Sequence, residues 1–149
     1  MIKLFKRFAA ALAVVALFVS CVVPLSQTEA APLFNVESYW NGDTNYPLAF
    51  SQGTTNRYVD LTSAKLEEKT TDETTGVTTA IFTYKVVMVN NNNITATYDY
   101  KTMIKTGGEE IVIAAQRANH TSWSQITSSS FNQPQYNATL ILADHFGIQ

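Results

Sequence analysis

The sequence predicts an α+β domain that is mainly β, with an antiparallel meander of about five to six strands and a short C-terminal helix. Two observations support this fold class. Residues 31–149 are rich in Thr, Asn, Ser and Gln, with Tyr, Phe, Val and Ile between them; Thr and aromatic residues favour strands, whereas Asn and Gly favour turns. The loops between the alternating segments are too short for the helical crossovers that a parallel sheet requires.

The clearest strands run from Val77 to Asn90 and from Ile94 to Lys105, and the run of asparagines at residues 90–93 is predicted as their hairpin loop. Asn tolerates the left-handed backbone angles that such a loop needs. Alternation in the second strand indicates that one face packs and the other meets water. The aromatic residues expected on the core faces of these strands are Phe82, Tyr84, Tyr98 and Tyr100.

Flanking segments extend the meander on both sides. Residues 57–71 are predicted as one interrupted strand or two strands, closed onto Val77 by the polar loop 72–76. The Thr-Gly-Gly turn at residues 106–108 leads into a further strand over Ile111–Ala115. Strand segments that follow one another through short turns predict an antiparallel meander.

The C-terminal segment changes from strand-like to helix-like patterning. After the Ser/Thr-rich residues 121–130 and a break at Pro134, Asn137 is predicted to cap a helix that stops at Gly147. A last strand is the alternative, because residues 139–142 also form a short apolar run.

Residues 1–30 have the organisation of a secretory signal, which leaves residues 31–149 as a single exported domain. A basic start is followed by an apolar run of 16 residues, and Thr28 and Ala30 supply the small residues that a signal peptidase accepts. The apolar run is shorter than the roughly 20 residues needed to span a bilayer. We therefore expect cleavage after Ala30 and a secreted, periplasmic or cell-surface location.

Cys21 is the only cysteine of the chain and offers an alternative processing site. Residues 18–21 loosely resemble a bacterial lipoprotein processing site, and lipidation of Cys21 would make a membrane a partner of the domain. If cleavage instead follows Ala30, the exported chain contains no cysteine. The domain then folds without disulfides and contains neither a thiol nucleophile nor a cysteine-based zinc site.

The charge of the chain argues against nucleic acid as a partner. The formal net charge is −2, and removal of residues 1–30 lowers it to −4. Proteins that bind nucleic acid cluster Lys and Arg on one face to neutralise phosphates. A mildly acidic domain has no such electrostatic attraction.

The sequence carries no motif for catalysis, for a metal or for a cofactor, so we predict a non-catalytic domain without one. It contains no Gly-x-Ser-x-Gly, His-Glu-x-x-His or phosphate-binding glycine loop. Asp144 and His145 are adjacent, and neighbouring residues on a helix point in different directions. Residues 41–45 resemble a calcium loop but lack its later ligands, so a turn is expected. Acidic pairs near predicted turns are expected to serve solubility and edge protection; they are Glu67-Glu68, Asp72-Glu73 and Glu109-Glu110.

Residues 57–63 read RYVDLTS and contain the core Tyr58-x-Asp60-x-x-Ser63. With the predicted meander, the C-terminal helix and the export signal, this motif resembles the surface-adhesin protein E-like domains of bacteria. The motif covers six residues, and the order of elements extends the resemblance over about residues 55–149. It implies an antiparallel sheet with a helix laid against it and attachment to host matrix proteins. The cysteine pair that holds the helix in that adhesin is absent here, so packing alone must hold it.

Aromatic residues are the remaining candidates for a functional surface. Trp40 and Trp123 lie in polar, loop-like segments, where packing explains an aromatic side chain less easily. Tyr and Trp dominate binding surfaces, so we predict that these two residues with Tyr39 and Tyr46 contact a host or envelope protein or glycan. A structural cell-envelope protein is the alternative function, and a small secreted hydrolase is a third.

Overall fold

The computed structural model describes residues 37–116, 120–129 and 131–149. In this part of the chain six strands form one antiparallel sheet, and their order in space equals their order in the sequence. A single α-helix, α1 (Gln133–His145), follows the last strand. This confirms a mainly β antiparallel meander with a C-terminal helix. The strands are β1 (Leu48–Gln52), β2 (Thr55–Thr71), β3 (Thr78–Asn90), β4 (Asn93–Thr106), β5 (Val112–Gln116) and β6 (Trp123–Ile126).

The predicted signal segment, residues 1–30 with Cys21, lies outside the described residues. Across the ranges that the structure describes, no helix combines the length and the apolarity needed to cross a lipid bilayer.

A two-residue turn joins β3 to β4, as the asparagine run predicts. Asn90 pairs with Asn93, and the two residues between them, Asn91 and Asn92, have φ angles of 47° and 62°. Hairpin turns of type I′ require positive φ at both central residues, because that twist matches the twist of the strands. Asparagine adopts such angles more readily than most residues, so the run determines where the hairpin turns.

β2 is one strand whose pairing with β3 is interrupted by a wide bulge, which matches the interrupted strand predicted for this segment. Asp60 pairs with Lys85, and the next paired residue, Lys65, pairs with Thr83. β2 therefore advances five residues while β3 advances two, so β2 carries three extra residues. The Ser63 hydroxyl accepts a hydrogen bond from the Lys85 backbone N–H (2.9 Å) and donates one to the Asp60 carbonyl (2.7 Å). The aspartate and serine of the Tyr-x-Asp-x-x-Ser core therefore stabilise the bulge.

The sheet curls into a half-barrel around α1. The helix packs against β1 to β5, which in a flat sheet would span about 19 Å at ~4.8 Å per strand. A helix with its side chains is only about 10 Å wide, so one helix reaches five strands only if the sheet curves. Each large apolar side chain buried in this layer contributes roughly 1.5–3 kcal/mol. The largest fully buried apolar side chains are Phe82, Ile104, Ile113, Leu142, Val59 and Val86.

Two contacts hold the helix besides this packing. The Phe146 ring stacks on Phe82 with centroids 5.7 Å apart and planes 15° from parallel. The Asn137 side-chain amide donates a hydrogen bond to the carbonyl oxygen of Ala49 on β1 (2.8 Å). Packing and hydrogen bonds thus attach α1 to the sheet.

The helix begins five residues earlier than predicted, at Gln133 with Asn132 at the cap position. Pro134 lies in the first turn rather than breaking the chain before it, because the first helical N–H groups have no partner within the helix and proline loses nothing there. Asn137 is consequently inside the helix and is not its cap. The predicted stop is present: Gly147 follows the helix with a φ of 63°. Residues 139–142 are helical, which excludes the alternative of a last strand.

A second, smaller apolar cluster covers the opposite face of the sheet. Val87 and Val89 on β3 point away from α1, and with Tyr58 they are nearly inaccessible. This outer cluster explains why apolar residues occupy both faces of β3, since both faces are covered at this end of the sheet. The partly buried residues that pack on it are Trp40, Tyr46 and Leu48.

Two strands were not predicted. β1 has five residues and β6 has four, which is too short for alternation to distinguish them from loops. β6 lies within the segment that was interpreted as a Ser/Thr-rich loop, so Trp123 belongs to a strand rather than to a loop.

The predicted packing face of β4 is buried only in its second half. Ile94 and Tyr98 are 51% and 43% exposed, whereas Thr102 and Ile104 are buried. β5 pairs only with Lys101–Lys105. The first half of β4 therefore lies at a free edge of the sheet, and the expectation that Tyr98 belongs to the core was wrong.

We predict that Gly107→Ala destabilises the fold by about 2–4 kcal/mol. Gly107 has a φ of 84°, and a Cβ atom there would overlap the carbonyl oxygen of Gly76 in the neighbouring loop. Gly53→Ala is the matched control, because Gly53 also has a positive φ, of 62°, but no atom lies near its Cβ position; we expect a loss of about 1 kcal/mol. Urea unfolding measures both, and equal losses would contradict the close approach of the two loops.

Candidate functional site

A surface cleft of about 630 Å³ opens between strands β4 to β6 and the first turn of α1. We call it the α1–β6 cleft. It forms because α1 packs mainly against β1 to β5, while the four-residue β6 at the end of the sheet is covered only in part, at the buried Ile126. The described residues that line it are Asp99, Tyr100, Ala115, Gln116, Ser124, Gln125, Ile126, Phe131, Asn132 and Gln135.

Strand alternation decides which side chains point into the cleft. Tyr100 is paired with Tyr84, and Ala115 with Thr102, and these partners are buried beneath α1. Tyr100 and Ala115 therefore face the helix side, as does Ser124, which pairs with Ala115. The alternate residues line the cleft along their backbones, with side chains turned to the opposite face; they are Asp99, Gln116 and Gln125.

Aromatic rings form one wall and the rim. Tyr100 is half-buried and contacts two other tyrosines: its ring centroid lies 5.9 Å from that of Tyr84 and 6.4 Å from that of Tyr98. Phe131, just before α1, is 86% exposed. The apolar surface of this ring is therefore available to a ligand, and burying it against the ligand would be favourable.

The helix side of the cleft supplies polar groups. Asn132 and Gln135 bring two carboxamides, each with donors and an acceptor, and Ser124 brings a hydroxyl from β6. The Gln135 Oε1 atom is buried and accepts no hydrogen bond from any described residue. A concave, largely apolar surface with a few polar groups is the usual composition of a binding site.

Buried hydroxyls lie behind Tyr100. Tyr84 and Thr102 are both nearly inaccessible, and neither hydroxyl makes a hydrogen bond of normal geometry within the described residues. Burial raises the pKa of Tyr84 above its ordinary value and also raises that of Tyr100. Both phenols are therefore neutral at physiological pH.

Acidic and imidazole side chains do not gather at the cleft. Over the described ranges, no group of three or more His, Cys, Asp and Glu side chains lies close enough to hold a metal ion. Asp144 and His145 are exposed at the far end of α1, and the His145 ring packs edge-on against Phe146. The chemistry that the lining offers is stacking, apolar contact and hydrogen bonding.

The structure places three of the four predicted contact residues together, away from the cleft. Residues 40–42 form a 3₁₀ turn, and the Trp40 ring meets Tyr46 edge-to-face with centroids 5.4 Å apart. Both rings pack on the outer cluster. Tyr39 is 41% exposed, and its backbone forms an isolated bridge with Pro47. Trp40 and Tyr46 thus cover part of the core.

Trp123 is separated from these residues. It pairs with Gln116 at the start of β6 and is partly exposed on the convex face, opposite the cleft. Trp40 packs over β3, which lies three strands away, about 14 Å at ~4.8 Å per strand. The two tryptophans do not form one continuous surface.

Sequence reasoning missed Phe131 and the helix-side amides. Phe131 stands among serines and asparagines, so a single bulky aromatic in a polar stretch was the signal available. The involvement of Tyr100 depends on the short strand β6, which the sequence did not reveal.

Comparison with known proteins gives no match: no family model, no curated protein and no solved structure is significantly similar to the chain. The function therefore has to be argued from the site, because a fold by itself does not determine a function.

Replacing each tryptophan separates a packing role from a surface role. We expect Trp40→Ala to lower the free energy of unfolding by about 2–4 kcal/mol, since it uncovers the outer cluster. Trp123→Ala should cost only about 1 kcal/mol, because its ring lies on an edge strand. Urea denaturation followed by circular dichroism measures both, and an equal loss for the two variants would contradict the assignment.

The buried Tyr84 hydroxyl makes stability depend on alkaline pH. Because burial raises the pKa of Tyr84 above about 10 in the folded state, the folded protein keeps this proton where the unfolded chain loses it. The contribution of the protonated Tyr84 hydroxyl to the free energy of unfolding is therefore fully present below pH 10 and declines as pH rises further. We expect Tyr84→Phe to make this decline shallower and to raise stability at pH 7 by about 1 kcal/mol, since an unpaired hydroxyl is removed.

Thermal unfolding between pH 7 and 11 measures this effect. Tyr98→Phe is the control, because the Tyr98 ring is 43% exposed, and it should leave the alkaline decline unchanged. An unaltered decline in Tyr84→Phe would show that this hydroxyl is not buried as described.

Proposed function

We propose that the domain is a non-catalytic module of the cell exterior that binds a protein or glycan partner through the α1–β6 cleft. The observation that carries the proposal is the cleft itself, a concavity of about 630 Å³ beside a largely exposed Phe131. A concave, mostly apolar lining with a few polar groups is the composition that binding sites commonly have. The proposed partner covers Phe131 and the exposed part of the Tyr100 ring.

The polar groups of the cleft support binding rather than bond cleavage. A glycosidase of the usual kind needs two carboxyl groups facing each other across the substrate. In the described lining, Asp99 is the single acidic residue, and strand alternation turns its side chain to the opposite face. The carboxamides of Asn132 and Gln135 instead suit recognition of carbonyl, amide or hydroxyl groups.

Export is the context in which we place this binding activity. The leader-like residues 1–30 support a secreted, periplasmic or cell-surface location, with a membrane as a partner only if Cys21 is lipidated. The acidic charge of the remaining chain supports a partner other than nucleic acid. The resemblance of residues 58–63 to adhesin domains supports a host or envelope protein as the partner class.

The proposal predicts that removing the exposed ring weakens binding without affecting the fold. Full-length protein is immobilised and its capture of purified extracellular-matrix proteins and of isolated cell-wall glycan is measured by surface plasmon resonance. We expect Phe131→Ala to lower the affinity about tenfold or more, as aromatic contact residues commonly do. Its stability should change by no more than about 0.5 kcal/mol, because the ring is exposed.

Ile94→Ala is the matched control, since Ile94 is also an exposed apolar residue but lies at the start of β4, outside the cleft lining. It should leave capture unchanged. Equal capture by the parent protein and Phe131→Ala would overturn the cleft as the binding site. Loss of capture on Trp123→Ala alone would instead move the site to the convex face.

A further inference from the structure

The free edges of the sheet differ in how well they are protected against pairing with another chain, and this difference points to a mode of binding. Strand edges expose unpaired backbone N–H and C=O groups, with which another chain can pair. On β1 these groups are occupied: the Leu48 N–H donates to the Ser38 carbonyl (2.9 Å), and the Ala49 carbonyl accepts from the Asn137 amide (2.8 Å). The first part of the β1 edge is therefore covered by the chain itself.

The exposed part of β2 is protected against pairing. The segment before β1 accompanies β2 only as far as Leu61, whose N–H donates to the Asn45 carbonyl. Beyond it the strand continues to Thr71 and carries two register shifts. Charges and bulges on an edge are known devices against strand addition. The charged residues on this part of β2 are Lys65, Glu67, Glu68 and Lys69.

The free first half of β4 is bulged: Met88 pairs with Ala96 and Val89 with Ile94, so Thr95 is an extra residue. β6 has no such protection. Its four residues, Trp123–Ile126, are uncharged and pair with β5 without a register shift. In an antiparallel strand alternate residues direct their N–H and C=O away from the neighbour. Two residues of β6 therefore offer backbone groups on the free side, where no described residue hydrogen-bonds to them, and that side adjoins the α1–β6 cleft.

We propose that the cleft receives a protein partner by strand addition: an extended peptide segment pairs with the free edge of β6 and continues the sheet toward α1. This inference rests on the proposed function and narrows its partner to a polypeptide. Main-chain hydrogen bonds to β6 supply part of the affinity, and pockets for alternate side chains supply the specificity.

The two faces of β6 define the side chains that such a segment carries. One set of alternate residues enters the cleft against Tyr100 and Phe131, which are aromatic. The other set lies on the convex face beside Trp123. Trp123 thus contacts the side chains that the added strand presents on the convex face of the sheet, opposite the cleft. Trp40 does not contact the added strand. The matching segment is uncharged, with apolar residues at every second position.

Synthetic peptides test the proposal directly. Four eight-residue peptides alternate Thr with Val, Ile, Leu or Phe, and each has a terminal Lys for solubility. Binding to full-length ¹⁵N-labelled protein is followed by amide chemical shifts. We expect at least one peptide to bind saturably and to shift the backbone signals of residues 123–126.

N-methylation distinguishes strand addition from simple apolar binding, because it removes the backbone donors of one edge of the peptide only. Methylating one set of alternate residues should weaken binding about tenfold or more, as expected for the loss of two hydrogen bonds. Methylating the other set should leave the affinity within about threefold. Gln125→Lys, which places a charge on β6, should weaken binding similarly, whereas Gln52→Lys at the exposed end of β1 should not.

Failure of this inference and failure of the proposed function give different results. If no peptide binds at 1 mM, or if neither methylation pattern weakens binding, strand addition is overturned. If Phe131→Ala still abolishes capture of matrix proteins or of cell-wall glycan in that case, the cleft remains the binding site and its partner is recognised in another way. If Phe131→Ala leaves capture intact, the cleft itself is excluded as the site.

Discussion

A single helix of thirteen residues has to cover the apolar inner face of a six-stranded sheet, and most features of the fold follow from this constraint. Because a helix is narrower than five strands, the sheet curls until Phe82, Ile104 and Ile113 all reach Leu142 and its neighbours. No disulfide is available to the described residues, so buried apolar area must supply the stability. The helix covers β6 less fully than the other strands, and the open end of the inner face is the α1–β6 cleft.

The same constraint separates the aromatic residues into two kinds. Trp40 and Tyr46 cover the outer cluster on the convex face, where the helix gives no protection, and they are therefore part of the core. Phe131 and Tyr100 lie where the helix cover ends, so their rings remain partly or wholly exposed. The sheet edges follow a parallel division, since the start of β1 is covered, β2 is charged and bulged, and the free half of β4 is bulged at Thr95, whereas β6 has none of these protections. The least protected edge thus adjoins the most open aromatic surface.

Local patterns in the sequence were sufficient for elements whose structure is decided locally. The asparagine run predicts the β3–β4 turn correctly, and the strand-favouring composition of residues 77–90 predicts β3, because backbone preferences act within a few residues. The role of Pro134 was predicted wrongly, because proline is found both where helices end and in their first turn. The strands β1 and β6 and the exposure of Tyr98 depend on partners distant in sequence, which no local pattern reports. For the same reason the cleft, built from three strands and a helix, could not be predicted.

Hydrogen exchange during partner binding tests most directly whether the uncovered end of the half-barrel is the functional surface. Full-length protein is compared alone and with the matrix or cell-wall preparation that it captures, and exchange is followed by mass spectrometry. The proposal predicts slower exchange over residues 123–135, with residues 38–46 unchanged. Slower exchange at residues 38–46 or along residues 62–71 of β2, with residues 123–135 unchanged, would contradict it.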